Sequence, residues 1–344
     1  MSAPPAAGGP PRTAVIGAGS WGTALAHHLA RGGHEVVAWA RSADLVEGIN
    51  AAHMNPRYLR GLALHPTLRA STELEAAVAG ARLVVYASPA QHIRAIMARA
   101  APHVARDAVV VSASKGIETS TLETMAEVLG DVLPAAVAGR ACFLSGPSFA
   151  EEVVLGQPTA VTIASRDAAA ARLAQAAFQT DSFRAYTSHD VMGVEMGGAL
   201  KNVVAMAAGM VAGLGLGHNA TAALITRGLA EIIRLAEAMG GEAITLSGLA
   251  GVGDLILTCT GGLSRNRHVG VELGKGRTLE QILADMEQVA EGVETTRAAH
   301  ALARREGIEM PIVDQVHAVL FEDLPAAEAL ENLMLRDPKS EIWT

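Results

Sequence analysis

The chain has 344 residues, half of them hydrophobic and 18% charged, which allows two domains with substantial cores and excludes both a disordered chain and a small stapled fold. Its 27 basic against 35 acidic residues give a net charge of −8, so generic nucleic-acid binding is disfavoured, and an anionic ligand needs locally placed cations and backbone dipoles. The two cysteines, Cys142 and Cys259, lie far apart without metal-type spacing, which excludes a disulfide scaffold and fits a reducing, cytoplasmic setting.

Residues 1–11 have neither a basic start nor an apolar run and read as a flexible tail, not a secretion signal. Residues 12–16 form a short β-branched run ending at Gly17, and an Ala- and Leu-rich helical stretch over 20–31 follows, stopped by Gly32 and Gly33. Strand patterns return at 35–39, 83–87 and 108–112 with helical stretches between them, the pattern of a parallel α/β sheet. Further strands at 142–145, 160–164 and 183–187, with a helix over 167–179, extend that sheet. From about Asp190 helical patterns take over, at 194–212, 221–239, 279–286, 295–306 and 311–321. The expected architecture is a flexible tail over 1–11, an α/β domain over 12–189 and an all-α domain over 190–344. Residues 203–226 contain no Asp, Glu, Lys or Arg and exceed the roughly 20 residues that span a bilayer. They are mostly Ala, Gly and Val, include His218 and Asn219, and lack an aromatic belt, so the expectation is a buried helix broken near 213–217 and no transmembrane segment.

Gly17-Ala18-Gly19-Ser20-Trp21-Gly22 follows a predicted strand and opens a predicted helix. In that context Gly17 permits the tight turn, Gly19 lets a pyrophosphate approach the backbone, and Gly22 permits close helix packing, with the helix N-terminus facing the phosphates. A glycine turn with only a structural role fits the same letters. Where a ribose-binding carboxylate is usual, about 20 residues on, stands Arg41. A guanidinium can pair with a 2′-phosphate, so this position tilts toward NADP, although an ordinary surface arginine reads the same way.

Lys115 stands in Ser-Ala-Ser-Lys-Gly just after a predicted strand, where binding loops form. Lys201 is a lone charge beside the most apolar stretch of the chain. Burying an ammonium is costly and brings its proton within reach of neutral pH, whereas a structural salt-bridged lysine gives the same pattern. Asp254, after the glycine-rich stretch 248–253, offers a carboxylate to such a lysine, and Ser264-Arg265-Asn266 at a predicted helix start offers donors for a phosphate monoester or simply a helix cap. Gly146-Pro147-Ser148-Phe149-Ala150 departs from a nucleophile elbow at Ala150, and the 12 histidines show no ligand spacing, so neither a hydrolase nor a metal centre is expected.

The ordered set Gly17 to Ala24, Asn55-Pro56-Arg57-Tyr58-Leu59, Ser114 to Glu118, Leu144 to Glu151, Ala199 to Asn202, Gly251 to Leu255, Leu263 to Arg267 and Val289 to Gly292 resembles bacterial NAD(P)-dependent glycerol-3-phosphate dehydrogenases over nearly the whole chain. The resemblance implies a Rossmann-type N-terminal domain, a helical substrate domain, an active site in the cleft between them and a homodimer. It implies interconversion of dihydroxyacetone phosphate and sn-glycerol 3-phosphate with NADP(H) or NAD(H), for glycerophospholipid synthesis. Ser20, Trp21, Arg41, Lys115, Ala150, Arg265, Val289 and Glu291 would contact the cofactor beside Gly17, Gly19 and Gly22. Lys115, Gly146, Ser148, Lys201, Asp254, Ser264, Arg265 and Asn266 would line the substrate site. Lys201 would move the proton, Lys115 would polarise the carbonyl, and Asp254 would orient the cations. The pattern departs at Ser88 and Ala90, at His65, and at Ser42, where a second basic residue is absent. Another hydroxyacid-dehydrogenase-type oxidoreductase, or a dinucleotide sensor without turnover, would share the glycine loop without needing all these groups.

Overall fold

The computed structural model describes residues 11–286, 290–338 and 340–341. Eight strands form one sheet: β1 (Arg12–Ile16), β2 (Glu35–Trp39), β3 (Arg69–Ser71), β4 (Leu83–Tyr86), β5 (Val109–Ser112), β6 (Cys142–Ser145), β7 (Thr159–Ala164) and β8 (Phe183–Ser188). Their spatial order is β3-β2-β1-β4-β5-β6-β7-β8. The order reverses beside β1, which creates the crevice at the strands' carboxyl ends where such sheets bind ligands. Strands β4, β5 and β6 are buried at every residue, which is why they read as unbroken apolar runs and not as alternations.

Two features depart from the sequence expectation. Strand β3 is only three residues, Arg69, Ala70 and Ser71, with no apolar run to announce it; it pairs with Val37, Ala38 and Trp39 of β2. Strand β7 breaks the parallel pattern, pairing antiparallel to β6 with Leu144 opposite Ile163, because the short helix Ala150–Val154 turns the chain back instead of carrying it across a sheet face. Strand β8 then pairs parallel to β7 after the helix Ala168–Phe178.

The described chain divides into two compact units, one holding residues up to Lys115 together with Glu123–Glu195, the other Gly116–Leu122 and Met196 onward. The first carries the Rossmann-type sheet, and the second is helical. The helix Val191–Gly213 is long and apolar enough to cross a membrane, but 89% of its most apolar window is buried inside the protein, as a core helix is. It ends at Gly213, Gly215 takes φ +76°, and the next helix, His218–Ala238, begins after Gly217, so the break falls within 213–217.

Buried titratable groups give the fold a defined pH dependence. His27, on the first helix, accepts a hydrogen bond at Nδ1 from the backbone N–H of His65, 2.9 Å away, and burial pushes its pKa down to about 4. Glu195 accepts from the Ala126 N–H at 3.0 Å, and desolvation pushes its carboxyl up to about 8; Glu231, which accepts from the N–H groups of Ile312 and Val313 at the start of the helix Pro311–Phe321, is pushed up to about 7. Between pH 6.5 and 4 the unfolded chain binds more protons than the fold at His27, so stability falls as pH falls. Between pH 4.5 and 8 the fold binds more protons at the two glutamates, so stability falls as pH rises. Where the two windows overlap the two glutamates outweigh the one histidine, so these three groups put the stability maximum near pH 4, with a decline from there to about pH 8. Glu195→Gln, which keeps the acceptor for Ala126 and cannot ionise, should flatten the alkaline limb of Tm against pH; an unchanged limb would remove Glu195 from it.

Candidate active site

The three glycines of the first loop do three different things. Gly17 sits at φ +111°, directly after β1, and its N–H donates to the Trp39 carbonyl at 3.1 Å. A Cβ at Gly22 would lie 1.8 Å from the Gly17 carbonyl oxygen, so this helix can reach the loop only with hydrogen at position 22. A Cβ at Gly19 would meet nothing within 4 Å. Gly19 also brings no side chain to cap the helix Ser20–Arg31, whose first turn carries no acidic residue. Open space beside an uncapped helix N-terminus fits a dinucleotide pyrophosphate. Ser20 and Trp21 occupy the first two helical positions; Trp21 packs against the sheet core, and its Nε1–H is buried without a partner among the described residues.

Arg41 lies two residues beyond β2, exposed and without an ion-pair partner among the described residues, a disposition open to an incoming phosphate. Ser42 spends its hydroxyl on the Asp44 carboxylate, which also pairs with Arg57 at 3.2 Å. No second cation adjoins Arg41 in sequence. The departure at Ser88 has a clear consequence: its Oγ donates to the Ile16 carbonyl at 3.1 Å, tying the end of β4 to the strand that delivers the glycine loop.

Lys115 and Gly146 follow the adjacent strands β5 and β6 and meet at their carboxyl ends. Lys115 Nζ donates to the Gly146 carbonyl at 3.3 Å, and Ser148 Oγ donates to the same oxygen at 2.9 Å. Gly146 takes φ +144°, and a Cβ there would stand 2.9 Å from Val161 Cα, so β7 closes on this turn as only glycine permits. Ala150 opens the short helix that follows.

In the second unit Lys201 is 7% exposed, and its ammonium donates to Asp254 Oδ1 at 2.5 Å and to Thr258 Oγ1 at 2.9 Å. Asp254 is 1% exposed and begins the helix Asp254–Thr260, directly after a π-type turn over Leu249–Gly253. Gly197 lets that turn come close to the lysine's helix: a Cβ there would lie 2.5 Å from the Ala250 carbonyl oxygen. Thr258, one helical turn after Asp254, was not singled out from the sequence; the i,i+4 spacing that puts both residues on one face was the available signal. A buried ammonium with a buried carboxylate and a hydroxyl on it is held in one place with its charge compensated, which suits proton delivery.

Ser264 is the N-cap of the helix Arg265–Gly274, its Oγ accepting from the Arg267 N–H at 3.2 Å, so the capping reading holds for its oxygen. Asn266 is buried and also largely engaged: Nδ2 donates to Asn202 Oδ1 at 2.8 Å, and Oδ1 accepts from the Gly292 N–H at 2.9 Å. Asn202 and Gly292 were missed as site supports; Asn202 follows Lys201 directly, and Gly292 follows Glu291 at the start of the helix Glu291–Glu306. Arg265 is exposed at the first helical position, while Val289 lies outside the described residues. The helix carrying Ser264 to Asn266 crosses the lysine's helix main chain to main chain. A Cβ at Gly209, Gly213, Gly270 or Gly274 would stand 2.2, 2.3, 2.0 or 2.5 Å from a carbonyl oxygen of the opposite helix.

The family description "NAD-dependent glycerol-3-phosphate dehydrogenase N-terminus" matches residues 12–171, and its C-terminal counterpart matches residues 190–331. The chain belongs to the NAD-dependent glycerol-3-phosphate dehydrogenase family. Within that family it is 54% identical over 331 residues to the NAD(P)+ glycerol-3-phosphate dehydrogenase of Myxococcus xanthus, covering 96% of this chain and 99% of the relative. It is likewise 54% identical to the enzyme of that name from Geobacter sulfurreducens, over 332 residues and with the same two coverages. A solved glycerol-3-phosphate dehydrogenase from Coxiella burnetii superposes with a TM-score of 0.89 at 39% identity, covering 94% of this chain and 98% of that one.

Proposed function

We propose that this chain interconverts dihydroxyacetone phosphate and sn-glycerol 3-phosphate with NADPH or NADH, as a cytoplasmic homodimer that supplies glycerophospholipid synthesis. In this reading residues 12–189 bind the dinucleotide and residues 190–344 carry the substrate chemistry. The observation that carries it is the buried Lys201 ammonium on Asp254 and Thr258, because reduction of a ketone needs one proton delivered at one oxygen.

When bound, the reduced nicotinamide supplies the hydride to the carbonyl carbon. Lys201 gives its Nζ proton to the oxygen as the carbonyl bond becomes an alkoxide, leaving a neutral amine that solvent reprotonates; in the reverse direction that amine takes the proton. Asp254 fixes Nζ in position before transfer. Lys115, steadied by the Gly146 carbonyl, places a second positive charge to polarise the carbonyl, and Ser148 lines the same turn. Arg265 with the N–H groups at its helix start holds the substrate phosphate, and Ser264 and Asn266 serve that end chiefly by fixing the helix. Val289 and Glu291 contribute to the cofactor end.

The test is oxidation of NADPH and of NADH, followed by absorbance, with dihydroxyacetone phosphate or dihydroxyacetone as acceptor. Turnover should require the phosphorylated ketone, with kcat/KM for dihydroxyacetone lower by about 10²-fold or more, since the phosphate fixes the reacting carbon in register. NADPH should be preferred, and Arg41→Ala should raise its KM more than that of NADH, an effect that added salt shrinks at so exposed a site. Equal use of both ketones, or no dependence on dihydroxyacetone phosphate, would overturn the proposal.

A further inference from the structure

The segment Asn55-Pro56-Arg57-Tyr58 has no part in the chemistry above, yet it is stitched to the glycine loop by a side chain that is completely buried. Asn55 is 0% exposed. Its Oδ1 accepts from the N–H groups of Arg57 at 3.2 Å and Tyr58 at 2.9 Å, which folds the segment into a tight turn around the amide. Its Nδ2 donates in the other direction, to the Ala18 carbonyl at 3.0 Å and to Thr23 Oγ1 at 2.8 Å. Thr23, also 0% exposed, donates its own hydroxyl to the same Ala18 carbonyl at 3.2 Å. The three groups form a closed triangle on one oxygen, and that oxygen belongs to the residue between Gly17 and Gly19.

A peptide unit is planar, with its C=O and N–H on opposite edges. Two donors on the Ala18 oxygen therefore fix where the Gly19 N–H points. That N–H has no acceptor among the described residues, and Gly19 is the loop glycine beside which space stands open. A donor held in place before its ligand arrives avoids the ordering cost of binding. A peptide without those two bonds could rotate, and its N–H would be aimed only part of the time.

We propose that Asn55 and Thr23 are positioning residues for the dinucleotide pyrophosphate, holding the Ala18 carbonyl inward so that the Gly19 N–H is presented to a phosphate oxygen. The inference rests on the dinucleotide reading above and deepens it. It separates two tasks within one cofactor site: Arg41 answers to the 2′-phosphate, and the Asn55–Thr23 pair answers to the pyrophosphate that NADPH and NADH share.

The experiment measures equilibrium binding of NADPH, NADH and adenosine 2′-monophosphate to the whole chain by fluorescence and calorimetry. The variants are Thr23→Val, which keeps the shape and removes the hydroxyl, Thr23→Ser, which restores it, and Asn55→Ala. Thr23→Val and Asn55→Ala should each raise the Kd of both dinucleotides by about tenfold, as expected for losing one hydrogen bond's alignment to a charged group. The NADPH-to-NADH ratio should stay put, Thr23→Ser should bind like the parent, and adenosine 2′-monophosphate, which has no pyrophosphate, should bind all variants within twofold of the parent. Dinucleotide Kd values within twofold of the parent in a folded Thr23→Val would overturn the inference, as would a parallel loss for adenosine 2′-monophosphate, which would mark a general packing role. If Asn55→Ala fails to fold, Thr23→Val decides alone. A parent that binds neither dinucleotide would instead overturn the proposed function itself.

Discussion

Lys201→Ala should lower kcat for reduction of dihydroxyacetone phosphate by about 10²–10⁴-fold, the range that a well-placed general acid contributes, while leaving the Kd for NADPH within a few-fold of the parent. The same substitution should also lower Tm, because it strands Asp254, 1% exposed, as a buried charge without its partner. Breaking one side of a buried pair typically costs about 3–5 kcal/mol, more than removing both sides. The double variant Lys201→Ala/Asp254→Asn should accordingly recover much of the Tm and none of the turnover. Stability and rate would then part company, which separates a proton-transfer role from a structural salt bridge. Recovery of turnover in the double variant, or near-parental kcat in Lys201→Ala, would take the lysine out of the mechanism.

Two glycines three residues apart should give opposite signatures. In Gly22→Ala the new Cβ falls 1.8 Å from the Gly17 carbonyl oxygen, and Gly17 cannot give way without leaving its φ of +111°. The helix must move, at a cost of about 3 kcal/mol or more, and Tm and dinucleotide affinity should fall together. In Gly19→Ala the methyl group meets nothing within 4 Å, so the empty protein should keep its Tm. The methyl occupies the approach to the loop, and the Kd for NADPH should rise by about 10²-fold, equivalent to displacing one close phosphate contact of about 2–3 kcal/mol. Thermal unfolding and NADPH titration of the two variants decide this; a Gly19→Ala protein that binds NADPH like the parent would show that the cofactor does not approach there.

The glycine loop was legible because its letters and its strand–turn–helix context agree, and the roles differ residue by residue as backbone geometry demands. The pairing of Lys201 with Asp254 was readable because a lone charge in an apolar run needs a counter-charge, and the chain offers a carboxylate after a glycine-rich turn. Thr258, Asn202 and Asn55 were not readable as participants. Each is an ordinary polar residue whose role depends on what tertiary packing brings to it, and no periodicity reports that. The same holds for β3, too short to carry a pattern, and for the segment Gly116–Leu122, which follows a strand in sequence but belongs with the helical unit. Ser264 shows the converse, since the sequence offered a ligand and a cap, and the oxygen is used as a cap.

At Gly209, Gly213, Gly270 and Gly274 the nearest opposing atoms all belong to the main chain. A contact made by side chains can drift over generations, one residue growing as its neighbour shrinks, and the spacing between helices drifts with it. Here every opposing atom closest to the glycines is a carbonyl oxygen of the main chain, which no substitution can trim. At these four positions the separation between the helix that carries Lys201 and the helix that begins at Arg265 is thereby a ruler cut from peptide geometry, which the Asn202–Asn266 hydrogen bond supplements. In the proposed reading, a substrate that takes its proton from Lys201 and sets its phosphate at the helix start is measured to a length that no single substitution at these carbonyls can retune.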